Sequence, residues 1–122
     1  MVEVICDSSF LIHLATKKIK NIDNLETEIG QIQFIVPDVV RKELQRLCEN
    51  KSKRQAVLST LDFIKKLNTL QISGNFVDES LISYVKKHGG IIATVDKELK
   101  NKIKRLGGSI ISLSNDRIVL ES

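Results

Sequence analysis

At 122 residues, 42% of them hydrophobic, the chain is long enough to bury one substantial core and too short for two. Trp is absent and aromatics are only 4%, so the core is expected to be built from Ile, Leu and Val. A net charge of +4 and an isoelectric point of about 9.1 permit contact with nucleic acid without requiring it, and no stretch approaches the roughly 18 apolar residues of a membrane span.

In chain order, "VEVIC" (2–6) reads as a strand, and Asp7-Ser8-Ser9 as a polar turn into the helix "FLIHLA". Ile22, Leu25, Ile29 and Ile32 stand three and four apart with Gly30 as a stop, so a helix is predicted over 22–32. The strand "QFIV" (33–36) follows, then Pro37, and Asp38 opens the helix "VVRKELQRLCE". "KSKRQAVLSTLDFIKKL" is a further helix and "LQIS" (70–73) a strand. The helix "DESLISYVKKH", the strand "IIATV", the helix "KELKNKIKRL" and the strand "SIISL" complete the pattern, with "RIVLES" as an edge strand or hairpin. Apolar strands alternating with helices predict a three-layer α/β/α sandwich around a mostly parallel sheet, one domain over residues 1–122. Acids inside the N-terminal apolar run and basic residues after it reverse the order of a secretory leader, so a soluble, cytoplasmic protein is expected. Cys6 and Cys48 lack CxxC spacing and a nearby His, which argues against a zinc or disulfide framework. His13 and His88 sit at no ligand spacing.

The acids carry more information. Asp7 follows the first strand directly and Asp96 follows "IIATV", so parallel central strands bring both carboxylates to one sheet edge, where open α/β sheets hold their ligands. Each also suits a helix N-cap. Val39, Val40 and Leu47 lie four before, three before and four after Glu43, which places that carboxylate on a face expected to be buried, needing a cation or a salt bridge to Arg46. Asp78 and Glu79 open the helix bearing Leu81, Ile82 and Val85. Four carboxylates in one pocket repel one another unless divalent cations sit among them, and oxygen-only donors select Mg²⁺ or Mn²⁺ over zinc. Such ions serve phosphodiester hydrolysis, with Ser8, Ser9 and Thr94 as hydroxyls able to orient an acid or a water.

The order Asp7, Glu43, Asp78, Asp96 resembles the PIN domain, a family of metal-dependent ribonucleases. "ICDSSFLI" is similar to its opening signature, "VPDVVRKELQRL" to its Glu-bearing helix, "FVDESLISYV" to its third acidic helix and "IIATVDKELKNKIKRLGGSIISLSNDRI" to its closing segment. Within the family the chain looks most like the archaeal single-domain proteins and the PIN endonuclease of the small-subunit processome. The resemblance implies that Asp7, Glu43, Asp78 and Asp96 are catalytic and bind Mg²⁺ or Mn²⁺, with Ser9 and Thr94 in support. Glu79 stands where many relatives have Asp, which leaves open whether Asp78 or Glu79 faces the metal, and Val95 stands where the family often has Asn. An endoribonuclease acting on ribosomal RNA precursors is the function implied. A toxin of the VapC type, or a catalytically silent PIN module for RNA binding or assembly, is the alternative. Implied partners are RNA, a second copy of the chain, and an assembly factor or antitoxin.

Lys97, Lys100 and Lys104 form one face of the last helix, and with Lys51, Lys53 and Arg54 they are expected to hold an RNA backbone. So few aromatics leave little for base stacking, so recognition by shape or by a partner is expected. A phosphoacceptor domain would need an Asp ending a middle strand, which here ends "QISG", and a haloacid dehalogenase-like phosphatase would need Asp where Ser9 stands.

Overall fold

The structure, a computed structural model, describes residues 2–19, 26–27, 30–72 and 74–121. In chain order its elements are β1 (Val2–Cys6), α1 (Ser8–Thr16), β2 (Glu26–Thr27), β3 (Gly30–Pro37), α2 (Asp38–Leu47), α3 (Arg54–Ile64), β4 (Asn68–Leu70), α4 (Val77–His88), β5 (Ile91–Ala93), α5 (Lys97–Arg105), β6 (Ser109–Ser114) and β7 (Arg117–Glu121). The sheet runs β2-β3-β1-β5-β6-β7, with β4 also beside β3. One side of β3 is shared: Gly30 and Gln31 pair antiparallel with β2, and Ile35 to Pro37 pair parallel with β4. The strands β4, β3, β1, β5 and β6 are parallel, and β7 closes the far edge antiparallel.

This is the α/β/α sandwich expected from the alternating pattern. The right-handed rule for parallel crossovers places α1, α2 and α3 on one face and α4 and α5 on the other; α1 packs on α2 and α3, α4 packs on α5, and α2 also meets α4. The core between the layers is aliphatic, with Val4, Val36, Leu44, Leu81, Ile92, Leu99, Ile103, Ile110 and Ile111 fully buried. Its aromatic contact is Phe10 on Phe34, ring centroids 5.5 Å apart. After β1 the chain first builds outward through β3 to β4, then returns through α4 to lay β5 on the other side of β1. The switch point of the sheet therefore lies between the carboxyl ends of β1 and β5.

Two predicted elements need correction. The helix over 22–32 is not formed where the chain is described: Glu26–Thr27 and Gly30–Pro37 are strands, and Ile32 pairs with Val2. Ile22, Leu25 and Ile29 lie outside the described residues. Gly30, with φ of 100°, opens the strand opposite Thr27 in place of stopping a helix, and pairing with β1 satisfies the backbone that follows, with Ile32, Phe34 and Ile35 set beside Val2, Val4 and Ile5. The strand placed at 70–73 is found at Asn68–Leu70. Ile72 leaves the ladder because its N–H donates to Asp38 Oδ1 at 2.8 Å, and Ser73 is outside the described residues. Asp38 thus fastens the loop before α4 to the start of α2, and α2 begins after Pro37 without a side-chain cap.

The carboxyl-edge geometry depends on two further local devices. Gly107, at φ of 80°, ends α5 in the left-handed region, and a Cβ on Gly108 would meet Ile103 Cγ2 at 2.7 Å, so the turn into β6 is packed against α5. Asn115 and Asp116, both at positive φ, make the two-residue turn of the β6–β7 hairpin. Among the described residues no helix is long and apolar enough to cross a membrane.

Candidate active site

Asp7 leaves the end of β1 and is 4% exposed, buried although it carries an acid. Its N–H continues the ladder to the Ala93 carbonyl of β5, at 3.0 Å, which holds the residue at the switch point. The side chain does two things at once. Oδ1 accepts the Phe10 N–H at 2.9 Å and so caps α1. The Ser9 hydroxyl donates to both carboxylate oxygens at 2.9 and 3.1 Å, and the Thr94 hydroxyl donates to Oδ2 at 2.5 Å. These donors favour the ionised acid, yet burial outweighs them and pushes the Asp7 carboxyl up to about 6, with the negative charge of Asp78 adding to the rise.

Thr94 ties this acid to the next. It is fully buried, its N–H donates to the Ile111 carbonyl, and its hydroxyl oxygen accepts the Asp96 N–H at 3.0 Å. Asp96 caps α5 through Oδ1, which accepts from Glu98 N–H at 2.9 Å and Leu99 N–H at 3.2 Å. Its Oδ2 takes no hydrogen bond among the described residues. Capping and site membership are therefore compatible at both positions, since each carboxylate has an oxygen outside the helix cap.

Asp78 is exposed in the first turn of α4. Partial burial raises its carboxyl above the usual range, and the neighbouring charges of Asp96 and Glu43 push the same way, opposed by Lys102. Asp7, Asp78, Asp96 and Glu43 are thus brought within electrostatic reach around Asp78. Asp78, not Glu79, carries the link to Asp7; Glu79 is exposed one position on. Glu43 is half-buried and not the centre of the apolar face: Val39, Val40 and Leu44 fill the core and Glu43 flanks them. Arg46, the other expected partner of Glu43, donates instead to the Asn75 carbonyl at 3.4 Å.

The basic residues are less gathered. Lys97 is exposed beside Asp96. Lys100 and Lys104 instead converge on Glu121 of β7, at 3.0 and 3.8 Å, and Lys100 is the main cause of the lowered Glu121 carboxyl. Lys51, Lys53 and Arg54 are exposed at the turn between α2 and α3, where Arg54 Nε donates to the Cys48 carbonyl at 2.9 Å. Two neighbours of the acids escaped the sequence reading: Glu98, which raises Asp78, and Lys102, which lowers it and pairs with Glu98 at 3.3 Å. Their spacing of four on one helix was the available signal. His13 bonds the Ser9 carbonyl through Nδ1, His88 stacks on Tyr84, and Cys6 and Cys48 are free thiols.

The donor chemistry fits a hard divalent cation: carboxylate oxygens of one sign, one of them buried, with Lys102 as the opposing charge on Asp78. The side chains do not form a closed cage, since among the described residues no three acidic, His or Cys groups stand close enough to share an ion. Asp7 is fixed by its hydrogen bonds and Asp96 by its cap of α5, while both Asp78 and Asp96 are open to solvent.

The family profile described as a PIN-like domain matches residues 4–116. The chain is 28% identical over 109 residues to Ribonuclease VapC4 of Methanocaldococcus jannaschii, covering 84% of this chain and 83% of that one. To Ribonuclease VapC9 of Archaeoglobus fulgidus it is 27% identical over 117 residues, covering 94% and 85%. Among solved structures it superposes on the PIN domain endonuclease Utp24 with a TM-score of 0.79 at 26% identity, covering 98% of this chain and 90% of that one. With the acids at the carboxyl ends of β1 and β5 and the matched profile running from β1 into the β6–β7 turn, the chain belongs to the PIN-like domain family.

Proposed function

We propose that the protein is an endoribonuclease that hydrolyses RNA phosphodiester bonds with Mg²⁺ or Mn²⁺ held by Asp7, Asp78 and Asp96 beside Glu43. The observation that carries this reading is the buried Asp7 carboxylate, anchored at the switch point with Asp78 acting on it. An ion bound there would lower the pKa of a bound water and supply the hydrolytic nucleophile. The chain's own residues do the rest. Ser9 and Thr94 hold Asp7 in one orientation, and the Thr94 hydroxyl fixes the start of α5, so Asp7 and Asp96 keep their spacing. Lys97 and Lys102 offer positive charge for the phosphodiester beside an otherwise anionic pocket, and Lys53 and Arg54 extend the backbone contact. Glu79 has no part in this arrangement.

Ribosomal RNA precursors are the first substrate to test, as the sequence resemblance to the small-subunit processome endonuclease implies, and the likeness to the PIN domain endonuclease Utp24 supports internal cleavage. The two archaeal relatives named VapC ribonucleases favour a second reading, a toxin whose partner is an antitoxin. Incubation of labelled RNA with the purified chain should give internal cleavage in Mn²⁺ and none in EDTA. Asp7→Asn and Asp96→Asn should each slow cleavage roughly a hundredfold or more while retaining the fold, because the amide oxygen still caps the helix. Unchanged cleavage by both variants would remove the reading. Growth arrest on expression, relieved by a neighbouring gene product, would decide for the toxin.

A further inference from the structure

The sequence offers few aromatics, and among the described residues the large apolar side chains close in sequence to the acids are buried or half-buried, with one left exposed. Phe76 is the exception. It is 67% exposed, more than Leu58 at 49% or Leu106 at 38%, and it is the N-cap residue of α4, two positions before Asp78. Asp78 lies in the first turn of α4, which packs against the helix of Glu43 and is tied to it by Arg46 at the Asn75 carbonyl, and the charge of Asp78 reaches Asp7.

An exposed Phe on a loose loop would mean little, but this backbone is held from three sides. The Phe76 carbonyl accepts both the Ser80 N–H at 3.0 Å and the Ser80 hydroxyl at 2.7 Å. Arg46, one helical turn beyond Glu43 on α2, donates to the Asn75 carbonyl. Gly74, at φ of 146°, lies so close over Ser80 that a Cβ would collide with the hydroxyl. The loop that fixes the ring's backbone is thus tied to both α4 and the helix of Glu43, yet the ring itself is left in water. Folding gains nothing from that exposure, since a buried Phe contributes favourably and an exposed one does not.

We infer that Phe76 is a stacking platform for an unpaired base of the RNA, one that holds the strand beside the acids. This rests on the nuclease reading and adds to it a residue that holds the substrate, one that needs an unpaired base because a base inside a duplex has no free face to offer. An apolar ring against a base face is sequence-tolerant, so the preference is for unpaired structure and not for a base identity.

The chain has no Trp, so Phe76→Trp introduces a lone reporter at this position. Stopped-flow mixing with a single-stranded oligoadenylate in Mn²⁺ should quench its emission before turnover, and a fully paired duplex should not. Phe76→Ala should raise KM for the single strand roughly tenfold with kcat changed less than about twofold and the melting temperature unchanged, and Phe76→Tyr should restore KM. Cleavage by the wild-type chain with no quench in Phe76→Trp and no KM change in Phe76→Ala would overturn the inference and leave the nuclease reading standing. No cleavage by the wild-type chain at all would instead refute that reading, and this one with it. A Phe76→Ala chain with altered oligomeric state and unaltered KM would assign the ring to a protein contact and overturn base stacking.

Discussion

Asp7 concentrates the argument at the scale of one residue. Three donors serve its carboxylate, and burial still raises it from the ordinary 3.8 to about 6. Between those values the native state binds more protons than the unfolded chain, so stability falls as pH rises and levels off above the folded value. In metal-free protein this amounts to a loss of about 2 kcal/mol at neutral pH relative to pH 4 from this group alone. The unfolding midpoint in denaturant containing EDTA should therefore decline from pH 4 to about 6, and Asp7→Asn should flatten that decline. A wild-type curve that rises steadily over the same interval would contradict the burial-dominated account. The sequence showed that Asp7 and Asp96 stand at strand ends, because the hand-over from an apolar run to a polar turn is local. It did not show that Thr94 bonds both, since that contact spans 87 residues and depends on β5 lying next to β1. Nor could helical spacing tell Glu43 from Leu44 as the inward residue, since adjacent positions differ by a fraction of a turn and only packing against the neighbouring layer decides.

At the scale of elements, the sheet ladder overrode helical spacing over 26–27 and 30–32. Apolar residues three and four apart fit one face of a helix, but an eight-residue strand with Phe34 and Ile35 at its centre gains a full parallel ladder with β1. The same applies to β4, whose polar residues Asn68 and Thr69 carry no strand-like apolar signal because the strand is short and exposed at the sheet margin. The lysine face on α5 was legible as a face, and what it meets was not. Glu121 comes from a hairpin more than fifteen residues further on and holds Lys100 and Lys104. Releasing them is a test of what β7 does. Glu121→Gln should lower stability by no more than about 1 kcal/mol, since the pairs are partly solvated. It should also tighten RNA binding and steepen the slope of log K against log salt by about one. An unchanged slope would show that these two lysines lie off the RNA path.

Over the whole molecule, one topological event gathers the chemistry. The return of the chain through α4 to the far side of β1 brings Asp78 and Asp96 to Asp7, while Arg46 and Asp38 lock the loop before α4 to α2 and so to Glu43. A molecule of net charge +4 thereby carries a local cluster of negative charge around Asp78, whose mutual repulsion the proposed divalent cation would relieve. The most direct measurement of that claim is a Mn²⁺ titration followed by the loss of the free-ion electron paramagnetic resonance signal, on the wild-type chain and on Asp7→Asn, Asp78→Asn, Asp96→Asn and Glu79→Gln. Saturable binding by the wild type and by Glu79→Gln, weakened roughly tenfold or more in each of the three Asp variants, is the expected result. Binding that is equally strong in all three Asp variants, or absent from the wild type, would contradict it.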